Sequence, residues 1–402
     1  MLTLFRNRVF LAVSSAHFVV DTLNSLGPVL MALLATSLKL SNTQIGLALT
    51  LYTFAGSLSQ PLFGWLADRY RNRTLLLTGL GVVWSAICYT IVAFQESWAL
   101  ILPFFLLAAL GSGLFHPIGT ATAATVDRTR AGGATSVFFF CGQMGFAIGP
   151  VLAGWLFGAQ GSLGIIPLSM LALLPVGLLL AAPRLPAPPP VAKRGAAAAV
   201  RTAAVIVAAF VVLVALRSSI QATYTAFLPK LFADRGWEPA AFGALAGVFM
   251  LSAAIGGILT GIAADRFGMR AATVWPLLLS VPTGLVCLWA LTPAIAFVAA
   301  ALAGLFICGQ HSILVLHAQR LLPAKKGFAA GLILGFTFAS GGLGTWLAGV
   351  FADSVGLVPV MQVATMLALP TAALALTLPG CAPAPDKPAV MPAPAGEARG
   401  KA

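Results

Sequence analysis

Apolar runs of about 20 residues or more follow one another from Val9 to Leu378, separated by short polar links. A helix of about 20 apolar residues spans a hydrocarbon core of ~30 Å, and a backbone in lipid must satisfy its own hydrogen bonds, so these runs predict membrane-crossing helices. Twelve spans are read, at 9-37, 43-66, 74-95, 99-124, 133-158, 162-182, 202-230, 239-263, 271-292, 294-319, 327-352 and 357-378. The fold class expected is an all-α membrane protein of twelve transmembrane helices in two pseudo-symmetric six-helix bundles. Residues 1-182 are assigned to the N-terminal bundle and 201-379 to the C-terminal one. Residues 183-200 form a Pro/Ala-rich basic cytoplasmic linker, and 380-402 a disordered cytoplasmic tail.

The two halves repeat. Gly64 to Arg69 after the second span returns as Gly261 to Arg266 after the eighth. His116 and His311, Arg130 and Lys325, Gly132 and Gly327, and Ala153-Gly154 and Ala348-Gly349 stand at one common offset. Repeated halves place a site at their interface.

Composition agrees with the pattern. The chain is 59% hydrophobic and 8% charged, with a mean hydropathy of +0.98, where soluble domains carry about 25% charged residues. The net charge of +13 is spread over the links, so it reports topology rather than nucleic-acid binding. Arg69, Arg71, Arg73, Arg128, Arg130, Arg266, Arg270, Arg320, Lys325 and Lys326 fall on one side, with Lys39, Lys230 and Arg235 on the other. That bias predicts a multi-pass protein of the cell inner membrane with both termini cytoplasmic. The first run follows Arg6 and Arg8 as a signal peptide would, but its length and its His17 and Asp21 make it an uncleaved span. The cysteines show no ligand spacing, so neither a disulfide framework nor a metal site is expected.

Polar side chains are costly in mid-membrane and mark a cavity. Span one has His17, Asp21 and Asn24, span four His116, span seven Arg217, Gln221 and Tyr224, and span ten Gln310, His311 and His317. Spans three, six, nine and twelve have no charged residue in their interiors. Spans one, four, seven and ten are therefore expected to line an aqueous path, and the other four to face lipid. At about 100° per residue, His17, Asp21 and Asn24 share one helix face, and Arg217, Gln221 and Tyr224 repeat the spacing. Asp21, with His17 and His116, is the candidate proton carrier, and Asp21 is expected to meet Arg217 or a histidine. Asn24, Arg217, Gln221, Tyr224 and His311 are candidate substrate contacts, with Gln60 and Gln143 at the rim. Pro117 is expected to break span four at His116, and His317 is read as interfacial.

The run Gly64-Trp65-Leu66-Ala67-Asp68-Arg69-Tyr70-Arg71-Asn72-Arg73 resembles the loop signature of the major facilitator superfamily, and Gly261 to Arg270 resembles it again. The resemblance implies the major facilitator fold and a gating role for Gly64, Asp68, Arg69, Arg73, Asp265 and Arg266. Arg71 stands where a glycine is usual, whereas the second copy keeps Gly268. Gly145-x-x-x-Gly149-Pro150-x-x-Ala153-Gly154 resembles the motif of proton-coupled exporters in the superfamily. His17-x-x-x-Asp21, Gln44-Ile45-Gly46, Gln60-Pro61 and Gly113-Leu114-Phe115-His116-Pro117 resemble the fosmidomycin-resistance family, with Ile118 where an acid is common.

The function expected is alternating-access export of a small anionic or zwitterionic molecule or drug by proton antiport. The proton gradient takes the place of any cofactor, and the protein acts as a monomer in the bilayer. The alternative is a uniporter or importer of small organic anions. An intramembrane enzyme or a non-transporting sensor is remote, because no nucleophile motif or phosphate loop accompanies the histidines.

Overall fold

The computed structural model describes residues 4–126, 131–183, 204–321 and 326–378. The basic links at Arg128, Arg130 and Lys325, the linker from residue 184 and the tail from residue 380 lie outside them. Helices occupy nearly all the described residues. In chain order they are α1 Arg8–Asn24, α2 Leu26–Ser37, α3 Asn42–Arg69, α4 Thr74–Ala93, α5 Trp98–Val126, α6 Ala131–Gln160, α7 Ile165–Met170 and α8 Leu173–Ala181. The second half follows with α9 Ala204–Asp234, α10 Pro239–Phe267, α11 Met269–Leu288, α12 Pro293–Cys308, α13 His311–Leu321, α14 Lys326–Val355, α15 Leu357–Met366 and α16 Ala368–Leu376.

Ten helical stretches are long and apolar enough to cross a membrane on composition alone. One of them, Gly133–Ala181, crosses twice. The more polar α3 completes the twelve, with boundaries close to those read from the sequence.

Four spans are interrupted, and three interruptions have one cause. Pro28, Pro175 and Pro370 have no N–H for the carbonyls of Asn24, Leu171 and Met366 four residues earlier, and the chain breaks there at Ser25, at Leu171–Ala172 and at Leu367. The fourth break, in span ten at Gly309–Gln310, has no proline. Span four corrects the expectation from Pro117, because α5 runs unbroken through both Pro103 and Pro117. A single lost hydrogen bond is tolerated in a long helix braced by its neighbours.

Burial sets the first span apart, whereas span four is no more buried than span three and span seven is the least buried, at 33%. The first span is 78% buried over its most apolar stretch. On α4, Leu76, Leu80, Trp84 and Ile87 form an exposed apolar stripe, as do Trp275, Leu279 and Val286 on α11. Such stripes suit lipid contact, the role expected of spans three and nine.

The halves meet at one end. There α3 runs beside α14, and Asp353 accepts the backbone N–H groups of Asn42 at 2.7 Å and Thr43 at 2.9 Å. Two turns further in, the Thr50 hydroxyl donates to the Gly342 carbonyl at 2.6 Å. A Cβ on Gly46 would lie 2.8 Å from the Thr345 carbonyl oxygen, so only glycine admits this approach. On the other flank α6 meets α10, with Gly154 against Gly243 and the Pro239 carbonyl. At the opposite end, which carries Arg69, Arg73, Arg266 and Arg270, Gly133, Gly257, Gly261 and Gly335 have open space where a Cβ would stand. Among the described residues the close contacts between the halves lie at the far end.

Candidate functional site

The cluster forms where α1, α3, α4, α5 and α6 converge inside the first bundle. His17 and Asp21 stand one turn apart on α1 and are 2% and 3% exposed. The Asp21 carboxylate is held from three directions: His17 Nε2 lies 3.1 Å from Oδ2, His116 Nε2 lies 3.2 Å from Oδ1, and Asn24 Nδ2 donates to Oδ1 at 3.1 Å. Asn24 Nδ2 also donates to Ser112 Oγ at 2.9 Å, and its carbonyl accepts the Tyr52 hydroxyl at 2.8 Å. Tyr52 in turn accepts from Tyr89 at 3.2 Å. The chain of donors therefore runs from Tyr89 through Tyr52 and Asn24 to Asp21.

A backbone carbonyl faces Nδ1 of each ring. His17 Nδ1 is 2.8 Å from the Phe138 carbonyl oxygen, and His116 Nδ1 is 2.9 Å from that of Ser112. A carbonyl oxygen only accepts, so Nδ1 is the donor in His17, while His116 Nδ1 also meets the Ser112 hydroxyl, able to donate or accept, at 3.1 Å. Each Nε2 then faces a carboxylate oxygen at hydrogen-bond distance, where two lone pairs would repel. A proton belongs on each of these lines, and the cluster can hold one proton per line. His116, with a side chain 23% exposed, is its most accessible member.

The α6 helix seals the cluster. The His17 ring stacks on Phe138 with centroids 4.0 Å apart. A Cβ on Gly142 would stand 2.5 Å from Asp21 Oδ2 and His17 Nε2. Glycine at 142 is therefore a condition of the pair. His17, Asp21 and His116 present ligand atoms within 4.8 Å of one another, a set whose size suits a metal ion. The Asn24 amide on Oδ1 adds a third polar contact to the carboxylate. Polar content of spans one and four named this set in the sequence, and the structure brings His116 from another helix onto Asp21.

Arg217 does not meet Asp21. It is 1% exposed, and its Nη2 donates to the Cys308 carbonyl at 2.6 Å, with Nε 3.3 Å from Gln310 Oε1. It caps the α12 end of the break in span ten. Gln310 is fully buried and donates to the Phe306 carbonyl at 2.6 Å. His311 opens α13 rather than sitting within a helix. Tyr224 is fully buried, bonded to Thr365 at 2.6 Å and stacked over Phe249, so it faces span twelve. Gln221 and Gln60 are half-buried and Gln143 is exposed, all outside the Asp21 cluster. His317, read as interfacial, is 3% exposed beside Phe210.

At the basic end Asp68, Arg69, Arg73, Asp265 and Arg266 are exposed. Gly64 makes only ordinary contact, 3.9 Å to Pro117, so no close helix approach depends on it here. Gly268 has φ +86°, a turn that favours glycine. Arg71 in the first copy instead opens a short 3-10 turn, Arg71–Arg73.

Sequence reasoning missed Tyr89, Gly142 and the Phe138 carbonyl as parts of the site. The spacing of Gly142 with Gly145 and Gly149 was visible, but not which side chain it accommodates.

The family model of the Major Facilitator Superfamily matches residues 10–219 and 208–401. The chain is 29% identical over 370 residues to the MFS-type transporter YfnC of Bacillus subtilis (strain 168), covering 88% of each. It is 27% identical over 369 residues to the fosmidomycin resistance protein of Escherichia coli (strain K12), covering 89% of each. Among solved structures, a bacterial homologue of the human lysosomal transporter Spinster, inward-facing and occupied, superposes with a TM-score of 0.77 at 15% identity over 92% of this chain and 96% of that one. The nucleoside transporter NupG gives 0.73 at 15% identity over 92% and 98%. These structural likenesses concern the fold, while the family match spans both halves of the sequence. Two six-span bundles, closed at one end around a polar interior, with both loop signatures in place, make this chain a member of the Major Facilitator Superfamily, a multi-pass membrane transporter rather than an enzyme.

Proposed function

We propose that the protein is a proton-coupled exporter of a small anionic or zwitterionic molecule in the cell inner membrane. In this reading both termini and the 183-200 linker lie in the cytoplasm, the basic end opens to the cytoplasm, and the transporter works as a monomer. The observation that carries it is the Asp21 carboxylate held between His17 Nε2 and His116 Nε2. Protons on those lines stabilise the cluster. Proton loss leaves buried like-signed lone pairs in contact, and that change biases α1 against α5 and α6. The likeness to the fosmidomycin resistance protein supports export as the direction.

The test uses purified protein in liposomes with an imposed pH gradient, screening fosmidomycin, other phosphonates, organic acids and amphiphilic drugs. Wild type is expected to move a solute against protons, and Asp21→Asn to lose the coupling. Gradient-driven transport that survives Asp21→Asn unchanged would remove the proton role. Gradient-independent equilibration would favour the uniporter alternative.

A further inference from the structure

The second bundle has a polar stripe of its own, with a cation where the first has an acid. His17 and His116 flank the carboxylate of Asp21. By the repeat, His311 stands in the place of His116, while Arg217, Gln221 and Tyr224 on span seven copy the i, i+4, i+7 spacing of His17, Asp21 and Asn24 with a cation and no acid. The acids among the described residues of the second half, Asp234, Glu238, Asp265 and Asp353, all lie at helix ends. Arg217 is thus a buried guanidinium without a carboxylate partner among the described residues, and its Nη1 has no hydrogen-bond partner there. A buried cation without a counter-ion is costly, and such a residue inside a membrane protein marks a functional site.

The neighbourhood is built for an anion. The guanidinium points into the break of span ten, where α13, an 11-residue helix, begins. A helix N-terminus directs N–H groups and a partial positive charge outward. Arg217 Nε donates to the neutral amide oxygen of Gln310, at a long 3.3 Å.

We propose that the break of span ten is an oxyanion seat, in which a carboxylate or phosphonate group of the transported solute displaces Gln310 Oε1 from Arg217. This rests on the chain carrying an anionic solute. The amide holds the guanidinium while the seat is closed. An oxyanion then supplies the negative charge that Asp21 supplies in the first bundle, bound bidentately by Arg217. Substrate and protons accordingly occupy separate places in the two halves.

The experiment is a thermal-shift titration of the purified full-length protein with methylphosphonate and with acetate, against chloride at matched ionic strength. Wild type is expected to gain roughly 2–4 °C. A gain with methylphosphonate alone identifies a phosphonate seat, and a gain with both a general oxyanion seat. The near-isosteric Gln310→Glu should be more heat-stable without ligand and should lose the response, because the seat is then filled in cis. Gln310→Ala should respond at lower anion concentration. No response in wild type, or an undiminished response in Gln310→Glu, overturns the proposal. Asp21→Asn is expected to keep the anion response, so a failure of proton coupling and a failure of this seat are read separately.

Discussion

The Asp353 carboxylate accepts the backbone N–H of Asn42 at 2.7 Å, so the end of α14 caps the first turn of α3 across the interface between the halves. An anion at a helix N-terminus meets both unpaired donors and the positive end of the dipole. Alternating access requires this contact to open whenever the far end opens. Asp353→Ala is therefore expected to shift the population toward a far-end-open state by about 1–2 kcal/mol. Spin labels at the far ends of α3 and α14 would report the shift as a longer distance component, and an unchanged distribution would deny Asp353 a latching role.

The opposite flank gives a steric version of the same test. Gly154 lies against Gly243 and the Pro239 carbonyl, where no Cβ fits. Gly154→Val should hold α6 and α10 apart and leave the far end open. Cross-linking between cysteines placed at the far ends of these helices should fall sharply, while cross-linking within either bundle stays as in wild type.

Gly142→Ala changes no titratable group, yet its Cβ would stand 2.5 Å from Asp21 Oδ2 and His17 Nε2. Overpacking of this kind costs about 1–3 kcal/mol. Proton-coupled transport is expected to fall about as far as in Asp21→Asn, at near-normal expression. Wild-type coupling in Gly142→Ala would show that the His17–Asp21 geometry does not matter.

Tyr52→Phe removes the donor that holds the Asn24 carbonyl and strands the buried Tyr89 hydroxyl. A lost hydrogen bond with a partner left unsatisfied costs about 1–3 kcal/mol. Adding Tyr89→Phe should recover part of that stability without restoring transport, because Asn24 remains unanchored. Additive stability losses in the double-mutant cycle would mean that the two hydroxyls do not act as one chain.

Much of the fold was legible because the bilayer constrains sequence so strongly. Span lengths, the polar content of spans one, four, seven and ten, and the repeat of loops and histidines could all be read from one-dimensional patterns. The His17–Asp21–Asn24 face followed from helix periodicity alone, and the structure keeps these residues together. Partner choice was legible only in part, since Asp21 was expected to meet either Arg217 or a histidine. Arg217 and Asp21 looked like natural partners by charge, yet each is held within its own bundle, Arg217 by the Cys308 carbonyl and Asp21 by two histidines.

The sequence by itself determined that this chain crosses the membrane twelve times as two related halves with a polar interior. Hydropathy, charge bias and repetition are properties of the chain read in order. Tertiary structure alone decided that the Phe138 carbonyl holds the His17 ring, that Gly142 makes room for the His17–Asp21 pair, and that Asp353 closes the far end on Asn42. Those relations depend on which helices approach within van der Waals distance, and that is set by the packing of the whole bundle, not by any local run of residues.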